Sequence, residues 1–299
     1  MAALVTLEQL LEAGVHFGHR VSRWNPKMAQ YIYGKRNFIH IIDLRETVKG
    51  LVRAVNFLER LANQGGEAIF VGTKRQAKSL VKQEADRCNM HYVNERWLGG
   101  TLTNFQTIMS RLARLEELEQ LETTGAIEQY SKKMISSIRR EKRKIFRNLE
   151  GIRKMKRKPD ALIIIDPRHE HIAAKEARKL GIPLVCLLDT DCDPDYADIA
   201  IPGNDDAYRS INVVLSRLSQ AIINGRDRYR RTLEETRRVE EQRRADEVKR
   251  QEAIRKSREA AVAAAAKAGG EAGKAAGGEA AAAGESPAAE PAPAEKAGG

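Results

Sequence analysis

Short apolar runs of strand length recur along the chain at residues 38–43, 67–73, 91–94, 161–166, 183–189 and 199–202, and each leads into a helical pattern. Leu162-Ile163-Ile164-Ile165 and Leu184-Val185-Cys186-Leu187-Leu188 are apolar at every position. A strand with one face in water alternates, whereas a strand covered on both faces does not. The pattern therefore predicts an α/β fold, a doubly wound parallel sheet flanked by helices. Ahead of it, residues 4–14 predict a short amphipathic helix, with Thr6 as the cap before Leu7, Leu10 and Leu11 and Gly14 as the stop. Residues 16–28 read as a loop leading from that helix to the first run.

Residues 104–158 break the rhythm. Phe105, Ile108, Leu112, Leu115 and Leu118, and then Ile135, Ile138, Ile145, Leu149 and Ile152, recur at spacings of three and four or their multiples. Thr123-Thr124-Gly125 separates the two series. Two long helices joined by a short turn predict an antiparallel helical hairpin, a coiled coil inserted into the sheet domain. Its charges are sorted: residues 111–130 hold two basic and five acidic side chains, residues 137–158 eleven basic and two acidic. Ion pairs across the seam absorb part of this, each exposed pair contributing about 0–1 kcal/mol. The second arm has more positive charge than the first can match, and the surplus is left for an external polyanion.

The chain divides accordingly into a sheet domain at 1–103 and 159–225, the hairpin at 104–158, a charged segment at 226–259 and an Ala/Gly-rich tail at 260–299. The charged segment has few apolar anchors and reads as a solvated helix or as disorder. The tail cannot bury a core and reads as a disordered extension.

Composition sharpens the picture in two respects. The 299 residues include 52 Lys and Arg against 41 Asp and Glu, for a formal charge of +11. By segment the balance is +9 for residues 1–225, +4 for 226–259 and −2 for 260–299, so the basicity belongs mainly to the predicted folded part. That bias favours polyanionic partners such as nucleic acid. The three cysteines, Cys88, Cys186 and Cys192, form no C-x-x-C pair and suit a reducing compartment. No basic leader precedes an apolar run, and no apolar run approaches the ~18 residues of a membrane span, so a cytoplasmic protein without a membrane partner is expected.

Several stretches invite a catalytic or metal reading. Four of the six histidines (His16, His19, His40, His91) lie in the first third. The opening stretch adds Arg20, Arg23, Trp24 and Lys27, cations and a stacking face that suit docking better than metal ligation. Gly72-Thr73-Lys74-Arg75 closes a strand and opens a helix, a position that favours an anion, but no Walker A loop exists anywhere in the chain. Asp189-Thr190-Asp191-Cys192-Asp193-Pro194-Asp195 fails as a calcium loop, because Pro194 occupies the glycine position and Ala200 the bidentate glutamate position. It also resembles the nucleophile motif of haloacid-dehalogenase phosphatases, yet only ten residues separate Asp193 from Asn204, too few for the intervening parts of that site. Capping of turns at the sheet's carboxyl edge accounts for Asp189 and Asn204. His169-Glu170-His171 opens a helix and lacks zinc-protease spacing. Neither an enzyme nor a cofactor is expected. Whether His16, Asp189 and Asp205 share a metal ion is a question the sequence poses without answering.

Taken together, Gly14-Val-His-Phe-Gly-His19, Trp24-Asn-Pro-Lys-Met28, Phe70-Val-Gly-Thr-Lys74, Arg96-Trp-Leu-Gly-Gly-Thr-Leu-Thr-Asn104, Pro159-Asp-Ala-Leu, His169-Glu-His-Ile-Ala173, Gly181-Ile-Pro183, Asp193-Pro-Asp195 and Ile201-Pro-Gly-Asn-Asp-Asp206 resemble one family. It is that of the second protein of the bacterial small ribosomal subunit, matched over roughly residues 4–225. The resemblance implies a flavodoxin-like sheet domain with an inserted hairpin and no enzymatic activity. It also implies a place between head and body on ribosomal RNA, late entry into assembly, and support for docking of the large mRNA-binding ribosomal protein beside other small-subunit proteins. RNA contacts are then expected at Arg20, Arg23, Trp24, Lys27, Lys74, Arg75, Arg96 and Trp97. On the hairpin they are expected at Lys132, Lys133, Arg139, Arg140, Arg143, Arg147, Arg153, Lys154 and Lys156, because rigid basic helices neutralise phosphates. Members of the family end soon after the last helix of the domain, so the resemblance says nothing of residues 226–299.

Overall fold

The computed structural model describes residues 5–272. Helix α1 (Leu7–Glu12) starts at a capping box in which the Thr6 hydroxyl accepts from the Gln9 N–H and the Gln9 side chain accepts from the Thr6 N–H. Strands β1 (Phe17–Arg20), β2 (Ile32–Arg36) and β3 (Ile39–Ile42) then form a three-stranded antiparallel sheet in the order β1-β3-β2. This corrects two expectations. The opening stretch is not only a loop, since it begins as β1 and continues through two short 3-10 turns, and the run at 38–43 belongs to this small sheet rather than to the parallel one.

The parallel sheet contains β4 (Ala68–Val71), β5 (His91–Val93), β6 (Ala161–Ile165), β7 (Leu184–Leu188) and β8 (Ile199–Pro202). All pair in parallel in the spatial order β5-β4-β6-β7-β8. Counted within this sheet alone the order is 2-1-3-4-5, the flavodoxin-like arrangement, with its switch point between β4 and β6. Every residue of β6 and β7 is buried, which is why these strands lack alternation.

Successive side chains enter two cores. Phe70, Ile163, Ile165, Val185 and Leu187 meet α2 (Leu44–Asn63), α3 (Lys78–Cys88) and the start of α7 (Tyr208–Ala272). Ile69, Val71, Leu162, Ile164, Cys186 and Leu188 face the other way, toward α6 (His171–Leu180) and the bases of α4 (Phe105–Thr123) and α5 (Lys132–Leu149). Helices α4 and α5 run antiparallel, so that Leu112 shares a cluster with Leu149 near the sheet while Leu118 packs with Ile127 and Ile138 farther out.

The described residues divide into two units, one ending at Glu234 and one beginning at Glu235. The position 225/226 falls within the first of these units. Within the first unit Arg226 Nη1 donates to the carbonyls of Cys88 and Asn89 at 3.1 and 2.8 Å, and Arg228 pairs with Glu59 at 2.9 Å. In the second unit helix α7 continues to Ala272, through the charged segment and the first part of the predicted tail. The remainder of that tail, 273–299, lies outside the described residues.

Candidate functional site

The carboxyl ends of β4 and β6 flank the switch point, and the charged residues gather there. After β4 the chain turns at Gly72 and extends Lys74 inward. Its Nζ stands 2.7 Å from Asp166 Oδ2, 2.9 Å from Asp205 Oδ1 and 3.1 Å from Asp206 Oδ1. Asp166 follows β6 at φ +59°, uncommon for a residue with a side chain, and its Oδ1 accepts from the N–H groups of Arg168 and His169. Asp205 is fully buried, with the Lys74 ammonium as its close cationic neighbour.

The opening stretch docks on this edge. Gly18 lets β1 ride directly on Thr190, since a Cβ there would sit 2.6 Å from Thr190 Cγ2. The His19 N–H donates to Thr190 Oγ1 at 2.9 Å, and the Asn25 N–H donates to the Thr190 carbonyl at 2.8 Å. These contacts bring the His19 ring to Asp189 Oδ2 (2.9 Å) and Asp206 Oδ2 (3.3 Å). The histidine that reaches the acidic loops is therefore His19 and not His16, whose ring lies against Phe17. His16 precedes β1, whereas His19 lies within it and is carried onto Thr190 by the strand's own backbone contact.

The electrostatics follow from the crowding. Burial works to lower the Lys74 pKa, but Asp205 and Asp166 outweigh it and raise it above the ordinary lysine value. The hydrogen bond to Asp189 is the largest influence on His19, whose pKa rises to about 9. Asp205 is pushed well above the carboxylate range by burial, with Asp189 and Asp166 adding to it. His19, Asp205 and Asp206 place ligand atoms within 4.8 Å of one another, as do Asp166, Cys192 and Asp205. Such oxygen and imidazole donors could hold a divalent cation, but the ammonium of Lys74 already supplies a positive charge among them. Cys192 Sγ lies 3.4 Å from Asp166 Oδ1, but the thiol is fully buried, and burial pushes its pKa up, away from the reactive thiolate.

The predicted RNA contacts separate into two groups. Lys74 and Trp97 are turned inward. Trp97 is 4% exposed and its indole N–H donates to Glu176 at 3.2 Å. Glu176 also accepts from the backbone N–H groups of Gly100, Leu102 and Thr103, so the Arg96–Asn104 stretch wraps around one carboxylate. That buried acceptor was missed in the sequence, where Glu176 looks like any charged residue of a helix. Lys27 is exposed but paired with Asp193 and Asp195, and Arg153 is held by Glu119 at 2.7 Å. The others, Arg20, Arg23, Arg75, Arg96, Lys132, Lys133, Arg139, Arg140, Arg143, Arg147, Lys154 and Lys156, are exposed. Trp24 is 37% exposed, with its ring 5.2 Å from that of His40.

On α5 the charges are partitioned. Glu122 on α4 takes Lys142 and, at 3.8 Å, Arg139. Glu141 takes Arg114 at 3.7 Å. Among the described residues, Lys132, Lys133, Arg140, Arg143, Lys144 and Arg147 form no ion pair. Ser131 caps the helix through a 3.4 Å contact from the Met134 N–H, and the apolar seam of Ile138, Ile145 and Leu149 keeps these cations on the opposite face.

Comparison with known proteins adds to this geometry. The sequence model of the family described as ribosomal protein S2 matches residues 10–225. The small ribosomal subunit protein uS2 of Rhodopirellula baltica is 55% identical over 220 residues, which cover 74% of this chain and 85% of that protein. The family match takes in the parallel sheet, its switch-point cluster and both inserted helices, and the chain belongs to the ribosomal protein S2 family, a family of structural, non-enzymatic ribosomal proteins.

Proposed function

We propose that the protein is a structural constituent of the small ribosomal subunit that binds its ribosomal RNA through the solvent face of α5. The observation that carries this reading is the unmatched charge of that helix. Ion pairs with α4 engage Arg139, Lys142 and, beyond the helix, Arg153, while the six unpaired cations project from a rigid support. Such a face displaces counterions from a phosphate backbone, giving affinity that tolerates sequence and falls with salt. Arg20, Arg23, Arg75, Arg96, Lys154 and Lys156 extend the basic surface beyond the helix.

In this reading the protein lies between head and body, enters late in assembly, contacts neighbouring small-subunit proteins and supports docking of the large mRNA-binding one, in the cytoplasm. The small antiparallel sheet supports the docking part. Tyr33 and Phe38 are 80% and 85% exposed, and Phe38 adopts φ +62°, a costly conformation for a bulky residue. Among the described residues no helix is long and apolar enough to cross a membrane.

The test is sedimentation of a tagged copy with small subunits, compared with a triple variant carrying Arg140→Glu, Arg143→Glu and Arg147→Glu. These three make no internal ion pair, so the fold should survive. Incorporation is expected to drop about tenfold or more, with a steeper dependence on salt in the parent. Equal incorporation of both proteins would sink the assignment to α5.

A further inference from the structure

A cleft of about 470 Å³ opens at the base of the inserted helices, beside the edge strand β5. Its volume falls within the ~300–1,000 Å³ of small-molecule sites. One wall is β5 itself, with Gly151 packed so tightly that a Cβ there would sit 2.1 Å from the Tyr92 carbonyl. Glu67 and His91 form the floor, Phe146 of α5 flanks it, and Lys154 and Arg226 stand near it.

The floor is chemically unfinished. Glu67 Oε2 is buried, and His91 Nε2 stands 3.5 Å from it. Burial keeps the His91 pKa below its ordinary value despite the pull of Glu67, so the imidazole is neutral near neutral pH and does not cancel the carboxylate. Asp86 and Glu150 line the cleft as well, Glu150 within 3.6 Å of Lys82, and so does Arg153, which is held by Glu119. Cations occupy other positions: Lys154 is exposed and unpaired among the described residues, and Arg226 is fixed by its two carbonyl contacts. Phe146, 39% exposed, offers a ring face.

We propose that this cleft receives one unpaired guanine of an RNA strand, its Watson–Crick edge on the Glu67 carboxylate, its face on Phe146 and its phosphate on Lys154 and Arg226. Guanine is the base that presents two adjacent donors, N1–H and the N2 amino group, in the parallel arrangement a carboxylate accepts. Adenine and cytosine place a lone pair beside their single amino group, and uracil flanks one N–H with two carbonyls. Each of those would set an acceptor against the charged oxygens. Single-stranded RNA is commonly read in this way, by an unstacked base held on its Watson–Crick edge and against an aromatic ring. The proposal rests on the RNA-binding reading above and names the nucleotide that reading would place at the foot of α5.

The purified full chain is titrated with guanosine, adenosine, cytidine and uridine 5′-monophosphates and with inorganic phosphate, following amide shifts of β5 and Gly151 by NMR. Guanosine monophosphate is expected to bind roughly tenfold or more tighter than the other three, the discrimination of one bidentate pair. Glu67→Gln is expected to abolish that preference, while Lys154→Glu weakens all four nucleotides and preserves it. Equal binding of the four, shifts produced equally by phosphate alone, or no shift at β5 would each overturn the proposal. Should Glu67→Gln not fold, the comparison of bases on the parent and on Lys154→Glu still decides. Loss of co-sedimentation with small subunits would sink the broader reading and leave this result standing, and equal nucleotide binding would do the reverse.

Discussion

His19 Nδ1 stands 2.9 Å from Asp189 Oδ2, and that pair ties the strand that opens the chain to the loop that follows β7, 170 residues later. Asp189 is 1% exposed, so the contact joins a buried carboxylate to a ring at the rim. The same ring reaches Asp206 at the start of α7. Two loops of the sheet's carboxyl edge, after β7 and after β8, thus meet around one imidazole.

Stability should fall as pH rises through this pair. The folded His19 pKa, raised to about 9 chiefly by the hydrogen bond to Asp189, lies above the unfolded value of 6.5. Folding therefore binds this proton more tightly, and the stabilisation is complete below about pH 6.5 and lost as pH climbs through about 9. Asp205, also raised, acts in the same sense. Discounted for the partly exposed ring, the His19 contribution is about 1–2 kcal/mol. Thermal unfolding between pH 6 and 10 should show a declining Tm that flattens in His19→Gln, and a profile of equal slope in the two proteins would count against the pair.

Lys74 holds the cluster together. Removing one partner of a buried ion pair leaves the other charge uncompensated, at a cost of about 3–5 kcal/mol. Lys74→Met, which keeps the apolar stem, should lower the unfolding free energy obtained from urea titration by that amount at pH 8 and by less at pH 5, where Asp166 and Asp205 can take up a proton. A loss independent of pH would mean that packing and not charge is the cause.

The Glu176 carboxylate organises the Trp97 loop. Burial pushes its pKa up, but the N–H groups of Leu102, Gly100 and Thr103 and the Trp97 indole outweigh this and hold it below the usual range. Because the folded value is depressed, this stabilisation is present above the unfolded pKa of about 4.3 and lost as pH falls through the folded value. Glu176→Ala orphans several donors, each at about 1–3 kcal/mol. Tryptophan fluorescence should shift to the red as Trp97 becomes wetted, and an unchanged spectrum would exclude the role.

Two truncations probe the end of the first unit. Ending the chain after Gly225 takes Arg226 from the Cys88 and Asn89 carbonyls and Arg228 from Glu59, and removes the Tyr229 ring that lies over Gly65. Ending it after Glu234 retains all three. The shorter chain should be less stable by about 2–4 kcal/mol in chemical denaturation, the scale of a charged hydrogen bond plus a partly buried ring. Equal midpoints would restore 225 as the structural boundary.

Five of the six strand-length runs became the parallel sheet, and in β4, β6 and β7 full burial on both faces leaves a signature of its own, an apolar residue at every position. The two inserted helices were legible through spacing, and the exposed cations of α5 through their number. Strand β3 was legible as a strand but not as part of a second sheet, since alternation does not say which partner a strand will find. Strands β1 and β2 escaped notice because Phe17–Arg20 and Ile32–Arg36 are short and only half-buried. Segment 226–234 was assigned outside the core because it is highly charged, yet its arginines end on carbonyls and a carboxylate.

The sequence by itself determined the layered α/β architecture, the inserted helices, the surplus of positive charge on the returning arm and the lack of catalytic spacing, because these are properties of neighbours along the chain. The tertiary structure alone decided which charges are spent internally. Lys74 and Arg75 are adjacent in sequence, but one is enclosed by Asp166 and Asp205 and the other faces water. His19 rather than His16 reaches the acidic loops, and Glu176 rather than solvent receives the Trp97 indole. In each case the deciding partner lies scores of residues or more away, and only folding fixes whether a charge meets its opposite or remains free for another molecule.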